Sequence, residues 1–267
     1  MKLTKRSDVM KFKVSDMLLF ALSFISCAGC SVKENRGVCP CQLVLDFSEV
    51  DTVSVKSVDL FLRKDGELIL NDVVVKEEFS EDYFAYVPRT GLRLCVWSGT
   101  GGTLADSLSI PYGEECPPVY IHSSHVDALG ESARDVVMMR KNFCLMTLNV
   151  KMSVHPAISL AVSGNVDGYD VYGVPSEGDF MVRLYPESDD TFCIRLPRQL
   201  DDSLVMEIDT GDKVIRRYPI GRYIAESGYD WTAPDLEDIV IDMDFAVTYL
   251  SMLILGWEKE YRFDVVI

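Results

Sequence analysis

An all-β protein made of two consecutive β-sandwiches is the fold class that this sequence predicts, and three observations predict it. Apolar residues recur at every second position, the segments so marked are short, and Gly, Pro, Asn, Asp and Ser punctuate them at near-regular intervals. Only one segment, Pro219 to Ser227, carries helical chemistry.

The chain opens differently. Lys2, Lys5, Arg6, Lys11 and Lys13 form a basic start, and Val14 to Ile25 is apolar apart from Ser15, Asp16 and Ser23. Ala28-Gly29 then supplies the small residues that a signal peptidase requires, so residues 1–29 are expected to be a signal peptide. A small-residue pair before Cys30 has the form of a bacterial lipobox, in which the thiol takes a diacylglycerol and the new amino terminus is acylated. Three acyl chains at roughly 0.8 kcal/mol per buried methylene make a permanent anchor. Cys27 is the second candidate for the lipid, disfavoured by the bulky Ile25 before it. An ordinary secretory signal with an incidental cysteine is the alternative. Residues 30–37, ending in Ser31 to Gly37, then serve as a polar, lipidated tether.

The whole chain has 267 residues, 48% of them hydrophobic, enough for sizeable cores. Removing residues 1–29 takes five basic and two acidic side chains from the 26 and 42 of the whole, leaving 21 against 40, a net charge of −19. Such a surface repels nucleic-acid phosphates and anionic membranes, so no nucleic acid is expected as partner and the lipid alone must hold the membrane.

A first sandwich is expected over residues 38–141. Leu43, Leu45 and Phe47 alternate with polar or smaller neighbours, Val58, Leu60 and Leu62 repeat the pattern, and Lys64-Asp65-Gly66 supplies a hairpin turn. Further strands are expected over Glu67–Leu70, Val73–Phe79, Tyr83–Val87, Leu92–Trp97, Val119–His122 and Val136–Arg140. Ser98 to Gly113 is the least regular stretch, with a short strand at Ser107 to Ile110. A second sandwich is expected over residues 142–267. It opens with one long strand from Phe143 to Val154 and continues through Ile158–Ser163, Asp170–Val174, Phe180–Tyr185, Thr191–Leu196, Leu204–Ile208 and Lys213–Arg217. Pro219 to Ser227 is the helix, with Pro in its first turn and Gly228 past its end. Ile239–Val247, Leu250–Trp257 and Tyr261–Ile267 close the chain as strands, the second being too short to cross a bilayer as a helix.

Eight cysteines are present, and six remain if Cys27 is removed and Cys30 lipidated, a number that permits three disulfides in an oxidising compartment. Cys95 with Cys116 is the expected pair, because the two bracket the irregular insertion. Those six include no Cys-x-x-Cys and have no nearby His spacing to complete a zinc site, so no metal and no cofactor is expected.

Enzyme motifs are incomplete throughout, and no catalytic activity is expected. Asp209-Thr210-Gly211 lacks the second carboxylate that aspartic proteases need. His122-Ser123-Ser124-His125 with Asp127 has no metalloprotease helix and reads as a solvated loop. Gly99-Thr100-Gly101-Gly102 lacks the Lys-Ser/Thr of a phosphate loop, and His155 has no nucleophile partner. Exposed aromatics could stack on sugars. Trp97, Tyr112, Tyr169, Tyr172 and Trp231 are the candidates, Trp97 being better read as core.

The order of landmarks resembles a known family. The lipobox cysteine, Ser31-Val32-Lys33-Glu34-Asn35-Arg36, Cys39-Pro40-Cys41 and the strand Gln42 to Phe47 look like the start of the fimbrial anchor subunits of the Bacteroidales, the FimB type, lipoproteins of type V pili. Val58-Asp59-Leu60-Phe61, Pro219 to Ile224 and the closing run to Gly256-Trp257 look similar too. The resemblance implies two tandem transthyretin-like β-sandwich domains, and a lipid-anchored, surface-exposed outer-membrane protein that anchors or terminates a pilus. Its implied partners are pilus structural subunits, joined by β-strand addition. Tyr261, Phe263, Val265 and Ile267, one face of an extended strand, are candidates for a donated segment, which equally could complete its own sheet. The alternative function is a surface lipoprotein or pilus-tip adhesin that binds host protein or glycan.

Overall fold

In the computed structural model, residues 39–100, 107–151, 159–185, 191–209, 214–244, 249–254 and 260–264 are described. Cys27 and Cys30 lie outside them, as do Gly101, Gly102, His155, Thr210, Gly211, Val265 and Ile267. The first group of strands is β1 (Cys41–Asp46), β2 (Ser57–Lys64), β3 (Glu67–Val75), β4 (Tyr83–Val87), β5 (Gly91–Ser98), β6 (Leu108–Ser109), β7 (Tyr120–Asp127), β8 (Ser132–Val136) and β9 (Arg140–Lys141). Six more follow: β10 (Phe143–Lys151), β11 (Ser159–Tyr169), β12 (Pro175–Leu184), β13 (Thr191–Pro197), β14 (Val205–Asp209) and β15 (Val214–Tyr218). Helix α1 (Ile220–Glu226) then leads into β16 (Ile239–Asp244), β17 (Tyr249–Ile254) and β18 (Glu260–Asp264).

The strands form an all-β arrangement of sandwiched open sheets. A three-stranded sheet, β4-β1-β8, and a five-stranded sheet, β3-β2-β5-β7-β9, enclose one core, in which Leu43, Leu45, Leu60, Leu62, Leu94 and Val96 are fully buried. The sheets β12-β11-β14-β15 and β13-β10-β16-β17-β18 enclose another, around Met146, Leu148, Leu160, Val162, Ile194 and Met206. The two halves repeat one device. In each, the opening strand is interior to its sheet: β1 pairs antiparallel with β4 and parallel with β8, and β10 pairs antiparallel with β13 and parallel with β16.

The five-stranded sheet of the first sandwich is buried on both faces. Leu94 and Val96 point into its own core, while the intervening Cys95 and Trp97, with Phe61 and Ile121, join the other core. Leu92 to Trp97 therefore shows little polar alternation. The irregular insertion belongs to the second sandwich as well, since Leu108 and Ser109 pair with Tyr169 and Gly168 of β11. Gly168 permits this, because a Cβ there would sit 2.0 Å from the Leu108 carbonyl oxygen.

Several strand boundaries differ from expectation for local reasons. Glu67–Leu70 and Val73–Phe79 are one strand followed by a 3₁₀ turn at Lys76–Glu78. Asp170–Val174 is a tight turn rather than a strand: the Asp170 carboxylate accepts the N–H groups of Tyr172 and Val174, both at 2.9 Å. Val136–Arg140 spans the gap between β8 and β9, and β10 is described to Lys151. At the expected hairpin, Asp65 and Gly66 take φ of 49° and 86°, the positive values a two-residue turn demands. Helix α1 follows Pro219 and buries Ile220 and Ile224, four residues apart on one face.

Tyr169 is the pivot of the larger core. Its ring lies edge-on to Trp97 with centroids 6.4 Å apart, its hydroxyl donates to the Asn142 carbonyl, and that hydroxyl accepts the Arg198 N–H at 2.8 Å. Arg198 Nε donates in turn to Asn142 Oδ1 at 3.0 Å. Tyr169→Phe keeps the ring but leaves buried partners unpaired. It is expected to cost about 1–3 kcal/mol in urea denaturation, against near-neutrality if the hydroxyl were idle.

Candidate functional site

Open sheets leave strand edges with unpaired backbone N–H and C=O groups, and a protein that joins others by strand addition does so at such an edge. The edges here are closed in different ways. Between β12 and β13 the segment from Ile110 to Pro118 acts as a strap. Gly113 N–H donates to the Met181 carbonyl at 2.7 Å, Cys116 N–H to the Arg195 carbonyl at 3.0 Å, and Arg195 clamps back onto Glu115 and the Cys116 carbonyl. Beside the strap is an open cleft of about 870 Å³ with Glu114, Arg183, Tyr185 and Arg195 on its walls.

In the first sandwich, the side bounded by β8 and β9 is stitched by His122. Its Nδ1 accepts the Met138 N–H at 3.2 Å and its Nε2 lies 3.4 Å from Asp135 Oδ2, which also accepts from Ser124 Oγ. Burial raises the Asp135 pKa, but the His122 and Ser124 bonds outweigh it, and the net shift is downward. The segment expected as a solvated loop is thus strand β7, because Val119 to His122 continues in register through Asp127. His122 and His125, three apart on a strand, point to opposite faces and cannot share a metal. Nor is this a catalytic triad, since one carboxylate takes both serine and imidazole. No group of three metal-ligating side chains occurs among the described residues.

The opposite side, where β3 and β4 end their sheets, is less closed. The β3 edge is capped by its own carboxylates: Val73 N–H donates to Asp72 Oδ1 at 2.8 Å and Val75 N–H to Glu78 Oε2 at 3.1 Å. Tyr83 Oη donates to Asp72 Oδ2 at 2.9 Å, one direct link across the gap. Burial and the Asp72 carboxylate push the Tyr83 phenol well above its usual range. On the outer face of β4, Phe84 and Tyr86 are 58% and 75% exposed. Arg134 pins the start of β4, bonding Asp46 at 2.6 Å and Asp82 at 3.1 Å.

At the far end of the second sandwich β18 is an edge strand, pairing antiparallel with β17 from Tyr249↔Asp264 to Leu253↔Glu260. Tyr261 and Phe263 therefore sit within the chain's own sheet. The expected Cys95–Cys116 bridge is not formed: both are buried free thiols. Burial pushes Cys95 up to about 12 and Cys116 higher still, so neither is a thiolate at neutral pH. Asp209 is buried and held by Ser159 and Arg183 rather than paired with a second carboxylate. Of the aromatic candidates, Trp97 and Tyr169 are core, Trp231 packs edge-on to Tyr229 at 4.7 Å, and Tyr172 lies under the Arg93 guanidinium. Tyr112 alone is strongly exposed, and Phe84, Tyr86 and Tyr185 were missed. The alternation over Tyr83–Val87 marked Phe84 and Tyr86 as one face, without saying that the face looks outward.

No family model matches the sequence, and no curated protein matches it by sequence. Solved structures do match by fold. The fold is shared with a fimbrial anchor protein. That protein, Mfa2 from Porphyromonas gingivalis, superposes with a TM-score of 0.60 at 11% identity, covering 82% of this chain and 98% of its own. A proposed adhesin from Bacteroides ovatus matches with a TM-score of 0.59 at 12% identity, over 84% of this chain and 95% of that one. Proposed polysaccharide-binding proteins from Bacteroides thetaiotaomicron match at 0.59 and 11%, over 84% and 98%.

The Asp46–Arg134 pair yields a pH prediction. The Ser48 N–H and the Arg134 guanidinium hold the Asp46 carboxyl down at about 2, below the ordinary value near 3.9. A depressed carboxylate contributes stability that is present above the unfolded pKa and lost as pH falls through the folded one. Asp46→Asn should therefore be less stable than the parent at pH 6, with the gap closing between about pH 4 and pH 2. Urea midpoints at pH 6, 4 and 2 check it.

Proposed function

We propose that this chain is an outer-membrane lipoprotein that anchors or terminates a pilus on the cell surface and joins pilus subunits by β-strand addition. The observation that carries the proposal is the fold shared with a fimbrial anchor protein over 98% of that protein's length. Two others support it. Cys30 follows an apolar run and Ala28-Gly29, the composition of a lipobox. Among the described residues, open sheets end at β4 and β18 without a further strand partner, the geometry that strand addition needs.

In this reading residues 1–29 are removed, Cys30 carries the lipid, and residues 30–37 lift the fold from the membrane. Residues 38–141 and 142–267 act as two sandwich domains in series. The tether runs directly into β1, the central strand of its sheet. Tension along β1 shears its pairings to β4 and β8 together rather than peeling them one by one. The acidic surface leaves the lipid as the sole membrane attachment. Tyr261 to Ile267 is a candidate donor only if β18 leaves β17, whereas β4 has no second strand partner among the described residues. The reading carries no catalytic role, since the polar clusters at His122 and Asp209 are satisfied internally.

Cys30→Ala is expected to abolish labelling by an alkyne-palmitate analogue and to move fibres from the cell pellet into the medium, while Cys27→Ala leaves both unchanged. Fibres retained on cells that carry unlabelled protein would contradict the anchor reading.

A further inference from the structure

The open side of the first sandwich carries information about what it receives. Neither β3 nor β4 has a second strand partner among the described residues, yet the two edges are chemically unlike. At β3 the outward N–H groups of Val73 and Val75 are already bonded to Asp72 and Glu78. Among the described residues β4 carries no such cap, and its sheet has three strands against five in the sheet opposite. A strand added beside β4 would lie over a cleft of about 360 Å³ lined by Asp72, Val73, Glu78, Glu81, Asp82 and Phe84.

Alternation then fixes the chemistry of the added strand. On the inward face its side chains would meet Asp72, Glu78 and Glu81. Arg134 answers Asp82, but Glu81 has no cationic partner among the described residues. On the outward face its side chains would continue the row of Phe84 and Tyr86, which cross-strand pairing places beside Val44 and Gln42. Carboxylates on one face and exposed aromatics on the other exclude a uniformly apolar strand and repel an acidic one.

We propose that the β4 edge accepts an extended segment of a partner protein in which Lys or Arg alternates with apolar residues, the basic side chains facing Asp72, Glu78 and Glu81 and the apolar ones lying along Phe84 and Tyr86. The proposal rests on the strand-addition reading and assigns to this chain the accepting role. A second copy of the chain is a poor occupant. Its net charge is −16, and in its own candidate donor Arg262 is cancelled by Asp264. The carboxylates that cap β3 have a complementary effect, since they keep like-charged copies from pairing there while drawing in a cationic strand.

The test uses the full chain and a fluorescein-labelled ten-residue probe that alternates Lys with Val or Phe. Controls are the same probe with Glu for Lys and an isomer with its lysines in one block. The alternating Lys probe should bind at least tenfold more tightly than either control by anisotropy, and should slow amide exchange across residues 83–87. Asp72→Asn/Glu81→Gln, which keeps the hydrogen-bonding shapes, should remove most of that preference. Phe84→Ser/Tyr86→Ser should weaken binding of the Lys probe about tenfold, with unchanged circular dichroism as the check on folding. Equal binding of the Lys and Glu probes, protection at β18 instead of β4, displacement of the probe by Ca²⁺ at constant ionic strength, or dimerisation of the chain in place of probe binding would each overturn the proposal. Introduced into cells, the same variants separate the two readings. Loss of probe preference with fibre retention intact would sink the β4 assignment alone. Intact probe preference in a chain whose Cys30→Ala variant leaves fibres on the cells would sink the anchor reading alone.

Discussion

An unpaired strand edge must be capped, covered or matched, and the way each edge in this molecule is treated organises the rest of it. Both sandwiches are built from open sheets, so the problem arises repeatedly. Between β12 and β13 the strap from Ile110 to Pro118 covers the gap, bonding Met181 on one side and Arg195 on the other. Between β8 and β9 the His122–Asp135–Ser124 cluster stitches the two sheets together. At β3 two carboxylates take the outward N–H groups. Among the described residues β4 has none of these devices, and it presents two exposed aromatics.

The covering strap has a structural cost that the second core absorbs. Bringing β6 against β11 requires Gly168, and it draws Ile110, Cys116 and Val119 into the core of the second sandwich. The outer face of β5 follows, with Trp97 and Cys95 buried against the same core. Tyr169 then ties the arrangement through Asn142 and Arg198. This is why the thiols at Cys95 and Cys116 are inert packing groups here: each fills apolar volume, and desolvation holds it protonated.

Much of the fold was legible because period-two burial leaves a direct trace. Tyr83–Val87 and the alternating pattern of β1 were readable as written, and the Pro219-to-Gly228 punctuation located α1 to within a residue or two. What failed had local or long-range causes. Asp170–Val174 has strand-forming residues, but the Asp170 side chain captures two backbone N–H groups and turns the chain. Tyr169, one of the candidate sugar-stacking aromatics, is buried because Trp97, far away in sequence, packs on it. His122 to His125 looked loop-like by composition, and only its pairing with β5 makes it strand. The candidate site was the least legible part. A sequence shows which residues share a strand face, but whether the strand is an edge, and whether that edge is capped, depends on pairings between distant segments.

In the proposed function the β4 edge of this chain receives a pilus subunit while the N-terminus stays with the membrane. A photo-crosslinking residue placed at Tyr86 in piliated cells tests it most directly. Illumination should yield one adduct whose second component is a pilus subunit, with the crosslink mapping to a segment that alternates basic and apolar residues. An adduct with a second copy of this chain, or none at Tyr86 alongside a subunit adduct at Tyr185 or within β18, would contradict it.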